Sequence, residues 1–238
     1  MRVLVTRAEP DGQIFADQLR AAGFEPILAP VMRIEIARAE IELNGVSALA
    51  FTSANGVRAF AANCARCDIP VFAVGPVTAE AATAAGFPKV SAAGGDVGSL
   101  ADHIASESAA VGRGLLHVAG EDRAGDLVAL LGARGIAARR QTLYRAAPIE
   151  TLSPDVIAPM AQENGLWVTL FSPRTAKMFL KLAGEAGLGP RLAAMHAACL
   201  SEAVAEAASA APWSEIAVAA DRTAAGVLEL LRAHGNRA

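Results

Sequence analysis

The sequence predicts an α/β protein built on parallel sheets, and three observations carry that prediction. Short apolar runs recur along the chain, each followed by a turn and a stretch whose apolar positions fall at helical spacing. Alternating strand and helix requires crossover connections, hence mostly parallel sheet with helices on both faces. A faint repeat near half the chain length points to two similar halves rather than a solenoid.

In order, the expected strands are Val3 to Val5, Pro26 to Ala29, Ala48 to Phe51, Val71 to Val74, Leu115 to Val118, Gln141 to Tyr144, Trp167 to Phe171, Ala197 to Leu200 and Ile216 to Ala219. The first intervening helix shows the pattern clearly: Ile14, Phe15, Gln18, Leu19 and Ala22 share a face, and Gly23 ends it. Two places break the alternation. Val31 to Ile36 and Arg139 to Arg145 mix polar and apolar positions and adjoin Pro30 and Pro148, so both read as extended segments that pair with each other. If so, the chain leaves a first domain (1–32 with 147–238), builds an inserted domain (38–138), and passes between them through connector strands 33–37 and 139–146.

The repeat aligns Ala50-Phe51-Thr52-Ser53-Ala54-Asn55 with Leu170-Phe171-Ser172-Pro173-Arg174-Thr175, and Thr78-Ala79-Glu80-Ala81-Ala82 with Val204-Ala205-Glu206-Ala207-Ala208. Alanine makes up roughly a quarter of the chain, far above its ordinary share, so a core of small side chains is expected.

A formal charge of −3 carries no nucleic-acid signature. Although 53% of residues are hydrophobic, no window approaches the uncharged apolar length of a membrane span, so neither nucleic acid nor membrane is an expected partner. Three cysteines do not make a disulfide framework, and Met1 to Arg7 reads as a strand rather than a signal peptide; both favour the cytoplasm.

The familiar catalytic motifs fail one by one. Cys64-Ala65-Arg66-Cys67 has no second metal-binding pair, and the histidines are scattered, His117 reading as a hydrogen-bonded core residue. There is no nucleophile elbow, no Walker loop and no dinucleotide fingerprint, and Gly94-Gly95-Asp96-Val97-Gly98-Ser99 matches none of their spacings. No nucleotide or metal cofactor is expected.

What remains is a set of hydroxyls and tight turns at expected strand carboxyl ends: Thr6-Arg7, Thr52-Ser53, Gly75-Pro76 with Thr78, Ser172-Pro173 and Ser201. In open parallel sheets ligands bind at that edge, where helix N-termini offer free N–H groups to carboxylates or phosphates. The plainer reading of each is helix capping. Tyr144, the only tyrosine, ends the second extended segment; its hydroxyl is either a structural hydrogen bonder or a donor to a leaving group.

Taken in order, Val5-Thr6-Arg7, Gly23-Phe24-Glu25, Pro30-Val31, Phe51-Thr52-Ser53-Ala54-Asn55-Gly56-Val57, Ala73-Val74-Gly75-Pro76-Val77-Thr78-Ala79, Leu127 to Gly135 before Tyr144, and Phe171-Ser172-Pro173 resemble the uroporphyrinogen-III synthase family nearly end to end. The resemblance implies two flavodoxin-like α/β domains joined by a two-stranded connector, with the substrate held between them. It also implies a cofactor-free lyase that cyclises hydroxymethylbilane with inversion of its last ring. By the same resemblance Tyr144 assists departure of the hydroxyl, and Arg7, Thr52, Ser53, Asn55, Gly75, Pro76, Thr78, Gly120, Ser172 and Ser201 contact the substrate. A monomer is expected, in transient contact with the preceding pathway enzyme. One departure stands out: where the family often has Gly-Pro-Thr-Thr, this chain has Ser201-Glu202-Ala203-Val204, an acid and an apolar residue ill suited to a polyanion if they face it. The alternative reading is a two-domain small-anion-binding or regulatory module without chemistry.

Overall fold

Two separate stretches of chain assemble one sheet, and the stretch between them assembles another. The computed structural model describes residues 1–107, 111–112, 114–122 and 125–235. It divides into a discontinuous unit, Met1–Arg33 with Ala147–Ala238, and a continuous unit, Ile34–Ala146.

The strands are β1 (Arg2–Val5), β2 (Glu25–Leu28), β3 (Met32–Ile36), β4 (Ala48–Phe51), β5 (Val71–Ala73), β6 (Val90–Ala92), β7 (Leu115–Gly120), β8 (Ala138–Pro148), β9 (Trp167–Leu170), β10 (His196–Cys199) and β11 (Glu215–Val218). The described helices are α1 (Asp11–Ala21), α2 (Ala54–Asn63), α3 (Pro76–Ala84), α4 (Val97–Ser106), α5 (Leu127–Gly132), α6 (Pro154–Gln162), α7 (Pro173–Glu185), α8 (Glu202–Ala208) and α9 (Ala224–Gly235). None is long and apolar enough to cross a membrane.

The discontinuous unit carries the order β11-β10-β9-β1-β2, every pair parallel. Numbered by appearance within the unit, this is the flavodoxin order 2-1-3-4-5. The continuous unit carries β3-β8-β7-β4-β5-β6. Its five parallel strands follow 3-2-1-4-5 instead, the first five strands of the dinucleotide-fold order. In each sheet the chain reverses its direction of travel once: between β1 and β9 in the first, between β4 and β7 in the second. Helices leave opposite faces of the sheet at such a point, so a crevice opens beyond the strand carboxyl ends.

Strand alternation explains both cores. In β4, Leu49 and Phe51 pack with Val57 and Phe60 of α2, while Ala48 and Ala50 pack with Leu100 and Ile104 of α4 and Leu127 of α5. All four β4 residues are buried because both faces are covered. In β1, Leu4 joins Phe179 of α7, and Val3 and Val5 join Phe15 of α1 and Leu231 of α9. Alanine and valine are frequent in both cores, as the composition suggests, but large aromatics stand among them. Phe51, Phe60 and Phe87 form an aromatic triangle with centroids 5.8 to 6.0 Å apart, and Phe15, Phe72 and Phe179 are also fully buried. Few aromatics suffice when they sit at the sheet centre, since each removes large area from water.

Two further differences concern strands. β6 was not expected, because three residues with a central Ser91 show no apolar run. The second extended segment is not merely a connector: β8 pairs in parallel with β7 from Ala138 to Tyr144, so it is a full strand of the continuous unit's sheet. β3 is its neighbour on the other side, where Ala37 N–H donates to Leu143 O and Ile149 N–H to Val31 O.

Candidate active site

The crevice at the β4–β7 reversal is lined by residues from three strands. Beyond Phe51 the chain turns at Thr52-Ser53 into α2. Ser53 has extended backbone, and its Oγ accepts the Asn55 N–H at 3.0 Å, capping the helix. The same Oγ lies 2.9 Å from the Tyr144 hydroxyl. A serine oxygen has two lone pairs and one proton, so it can accept from the helix and still donate to the phenol.

Tyr144 reaches that position because β8 is bulged. Register runs Ala119 opposite Thr142 and then Gly120 opposite Tyr144, passing over Leu143. Consecutive strand residues normally point to opposite faces. Here Leu143 and Tyr144 both pack against the cluster under α2, as a bulge permits by re-aiming one side chain. Gly120 makes room for the ring: a Cβ there would lie 2.7 Å from Tyr144 Cζ and 3.0 Å from its hydroxyl. Glu121 N–H donates to Tyr144 O at 2.9 Å, closing the pair beyond the bulge. An open pocket of about 420 Å³ borders Tyr144, with Glu35, Glu121, Thr142 and Arg145 in its wall. Arg145 is paired with Glu35 at 2.6 Å, so the cation of this wall already has its carboxylate.

On the opposite face, Thr52 Oγ1 lies 3.2 Å from Nε2 of His117. The imidazole is only 4% exposed, and its Nδ1 has no hydrogen-bond partner among the described residues. Burial pushes its pKa down to about 4; the nearby Arg140 charge acts in the same direction, and Asp126 opposes them. His117 is therefore neutral at pH 7 and fixes Thr52 rather than serving as a charged ligand.

The other expected residues sort by position. Asn55 is engaged: its N–H binds Ser53, and its Oδ1 accepts from Arg58 at 2.7 Å. Gly75 and Pro76 begin α3 beyond β5, one strand from β4, and Thr78 behind them is 5% exposed, turned into the protein. In the discontinuous unit, Arg7 and Ser172 flank the β1–β9 reversal. The Arg7 guanidinium lies 4.6 Å from the Phe171 ring centroid and 3.3 Å from Asp11. Ser172 Oγ accepts the Thr175 N–H at 3.0 Å and is 2.8 Å from the Thr175 hydroxyl. Ser201 caps α8 beyond β10 without a side-chain bond. Val204, which looked ill placed, is 1% exposed in the core, while Glu202 is exposed. Ser53 and Gly120 thus both contact Tyr144, with Thr52 next to Ser53 in the chain, whereas Thr78 is withdrawn.

His117 is the hydrogen-bonded core residue that the sequence suggests, whereas Arg140 carries no signal in the sequence. The sequence does not say that Thr52 is the partner of His117, and Arg140 falls in the connector segment just before the expected strand Gln141 to Tyr144. Arg140 donates from Nη2 to Gly120 O and, at 3.3 Å, to Glu121 O, and from Nη1 to Thr142 Oγ1 at 2.9 Å.

Comparison with known proteins agrees with this architecture. No curated relative matches the sequence. Among solved structures, the uroporphyrinogen-III synthetase of Helicobacter pylori superposes with a TM-score of 0.64 at 16% identity, covering 98% of each chain. A mutant uroporphyrinogen III synthase of the extremely thermophilic bacterium Thermus thermophilus gives 0.51 at 18% identity over 99% of each chain. At such identities these likenesses establish the fold. A family model described as uroporphyrinogen-III synthase HemD matches residues 13–229, nearly the whole sequence, and the chain accordingly belongs to the uroporphyrinogen-III synthase family, lyases of porphyrin biosynthesis.

Proposed function

We propose that within this family role the chain closes hydroxymethylbilane with loss of water and inversion of the terminal ring, and that Tyr144 assists the departing hydroxyl. The observation that carries this is the hydroxyl pair at the β4–β7 reversal, Ser53 Oγ and Tyr144 OH at 2.9 Å. With Ser53 O–H donating to the phenol oxygen, the Tyr144 proton is directed to a ligand. A hydrogen bond from Tyr144 to the terminal hydroxyl offsets the charge that builds as its C–O bond breaks. With a proton passed from Tyr144 the hydroxyl leaves as water while the pyrrole nitrogen's electrons give an azafulvene cation, and the proton released when the last ring recloses restores the phenol. Attack by the substituted carbon of the last ring gives a spiro intermediate, which fragments and recloses as the inverted isomer. Since the substrate supplies the electrons, this chemistry asks for no organic cofactor or metal, and the protein's task is chiefly to fix geometry.

Anion recognition in this reading falls to helix N-termini and turn amides beyond β4, β5 and β9, with Arg7 adding a cation. Thr52, Ser53, Asn55, Gly75, Pro76 and Ser172 shape those turns, Ser201 shapes the one beyond β10, and Gly120 ends β7. Thr78 and Gly120 act through the backbone they hold, since one is buried and the other lies under the tyrosine ring. The proposal includes a monomeric, cytoplasmic enzyme that receives its substrate from the preceding pathway enzyme.

The test is to supply hydroxymethylbilane and identify the product isomer. The type III isomer is expected; the symmetric type I isomer alone, as spontaneous closure gives, overturns the reading.

A further inference from the structure

We infer that Arg140 is a positioning residue: its guanidinium clamps both sides of the β8 bulge and so fixes where the Tyr144 hydroxyl stands. This rests on the proposed role of Tyr144.

A bulge lets two residues of one strand oppose one of the other, so closing it would shift the pairing beyond it by one residue. A slide here would place Leu143 opposite Gly120 and carry Tyr144 off the Ser53 hydroxyl. What opposes the slide is on both strands. Arg140 Nη2 reaches Gly120 O and Glu121 O at the end of β7, while Nη1 reaches Thr142 Oγ1, the last residue of β8 before the skipped Leu143. The planar fork lets one side chain hold three acceptors in fixed relative positions, which an ammonium cannot do. The glycine held at Gly120 O is the same one whose missing Cβ admits the Tyr144 ring. Arg140 lies opposite His117, on the face away from the ring, so it acts on Tyr144 through the bulge alone.

Arg139 supplies the matched control. It lies on the same strand and also donates to a backbone carbonyl, that of Glu42, but far from the bulge.

Tyr144 is the only tyrosine, so protein labelled with ¹³C at tyrosine Cζ gives one resonance that needs no assignment. The experiment compares this resonance, kcat and KM in the wild type, Arg140→Met, the milder Arg140→Lys and Arg139→Met, with circular dichroism to confirm folding. Arg140→Met is expected to shift and broaden the resonance and to lower kcat roughly tenfold, with KM within about twofold, as a loss of catalytic geometry. Arg140→Lys, keeping one donor, should fall between. An unmoved resonance in both Arg140 variants, or an equal change in Arg139→Met, overturns the inference. A moved resonance with unchanged kcat leaves the clamp standing and removes Tyr144 from the chemistry. If Arg140→Met does not fold, the lysine variant decides by the same readouts.

Discussion

Ser53 and Tyr144 are 91 residues apart in sequence and 2.9 Å apart at their hydroxyl oxygens. Neither end of that contact is made by a loop free to wander. Ser53 is held by the helix it caps and Tyr144 by the bulged ladder that carries it, so the pair is fixed by elements whose packing is independent of any ligand.

Removing the phenolic oxygen tests the pair directly. Tyr144→Phe should lower kcat by roughly 10²-fold, the lower range for a positioned proton donor, and leave the stability from urea titration within about 1 kcal/mol of wild type. Ser53→Ala should be milder in kcat, because Tyr144 keeps its own proton. Unchanged turnover in Tyr144→Phe returns the hydroxyl to a structural role.

Gly120→Ala forces the opposite change, adding one carbon where the ring already stands. The ring must move, and the expected cost is about 1–3 kcal/mol of stability with a fall of roughly 10²-fold in kcat. Steady-state kinetics and denaturant titration separate the two effects; wild-type kcat would show that the ring tolerates displacement.

His117 gives the fold a pH dependence of definite sign. Its native pKa of about 4 lies below the ordinary 6.5, so between those values the unfolded chain binds the extra proton and the native protein does not. Stability therefore rises with pH across that window; on acidification it falls by about 3 kcal/mol between pH 6.5 and 4, and no further below. Urea midpoints measured from pH 7 to pH 4 should drop less steeply in His117→Gln, and identical slopes would rule the residue out.

Thiol reactivity should divide the three cysteines. Burial pushes the Cys199 thiol up to about 12, leaving almost no thiolate at pH 8, whereas Cys64 and Cys67 are only half-buried. An aromatic disulfide reagent should modify two thiols in the native protein and the third only in denaturant. Three fast equivalents would contradict the burial of Cys199.

Ser172→Ala removes a helix cap, so its expected cost is about 1 kcal/mol of stability with a mild effect on turnover. Loss of all activity in a folded variant would assign the hydroxyl directly to substrate.

What could be read from the sequence follows from where the information resides. Strands buried on both faces, such as Ala48 to Phe51 and Val71 to Ala73, announce themselves as unbroken apolar runs. Ser53 and Ser172 were legible because capping is local, and both do cap. Strand order was not legible, since nothing local says on which side of β4 the chain will lay β7. The bulge at Leu143 escaped for a similar reason: its signature is a mismatch between two strands, and neither shows it alone. Arg140 owes its role to that pairing and becomes visible only with it.

The order β11-β10-β9-β1-β2 also bears on how the protein is made. On the ribosome β1 meets β2 almost at once, but its other neighbour, β9, emerges only after the entire continuous unit has been synthesised. A two-strand fragment whose β1 edge is still uncovered must therefore wait while an intact domain forms downstream, and such edges invite pairing with other chains. Nascent-chain aggregation should consequently be greatest before Trp167 to Leu170 leave the exit tunnel, and should decline once that strand can slot in beside β1.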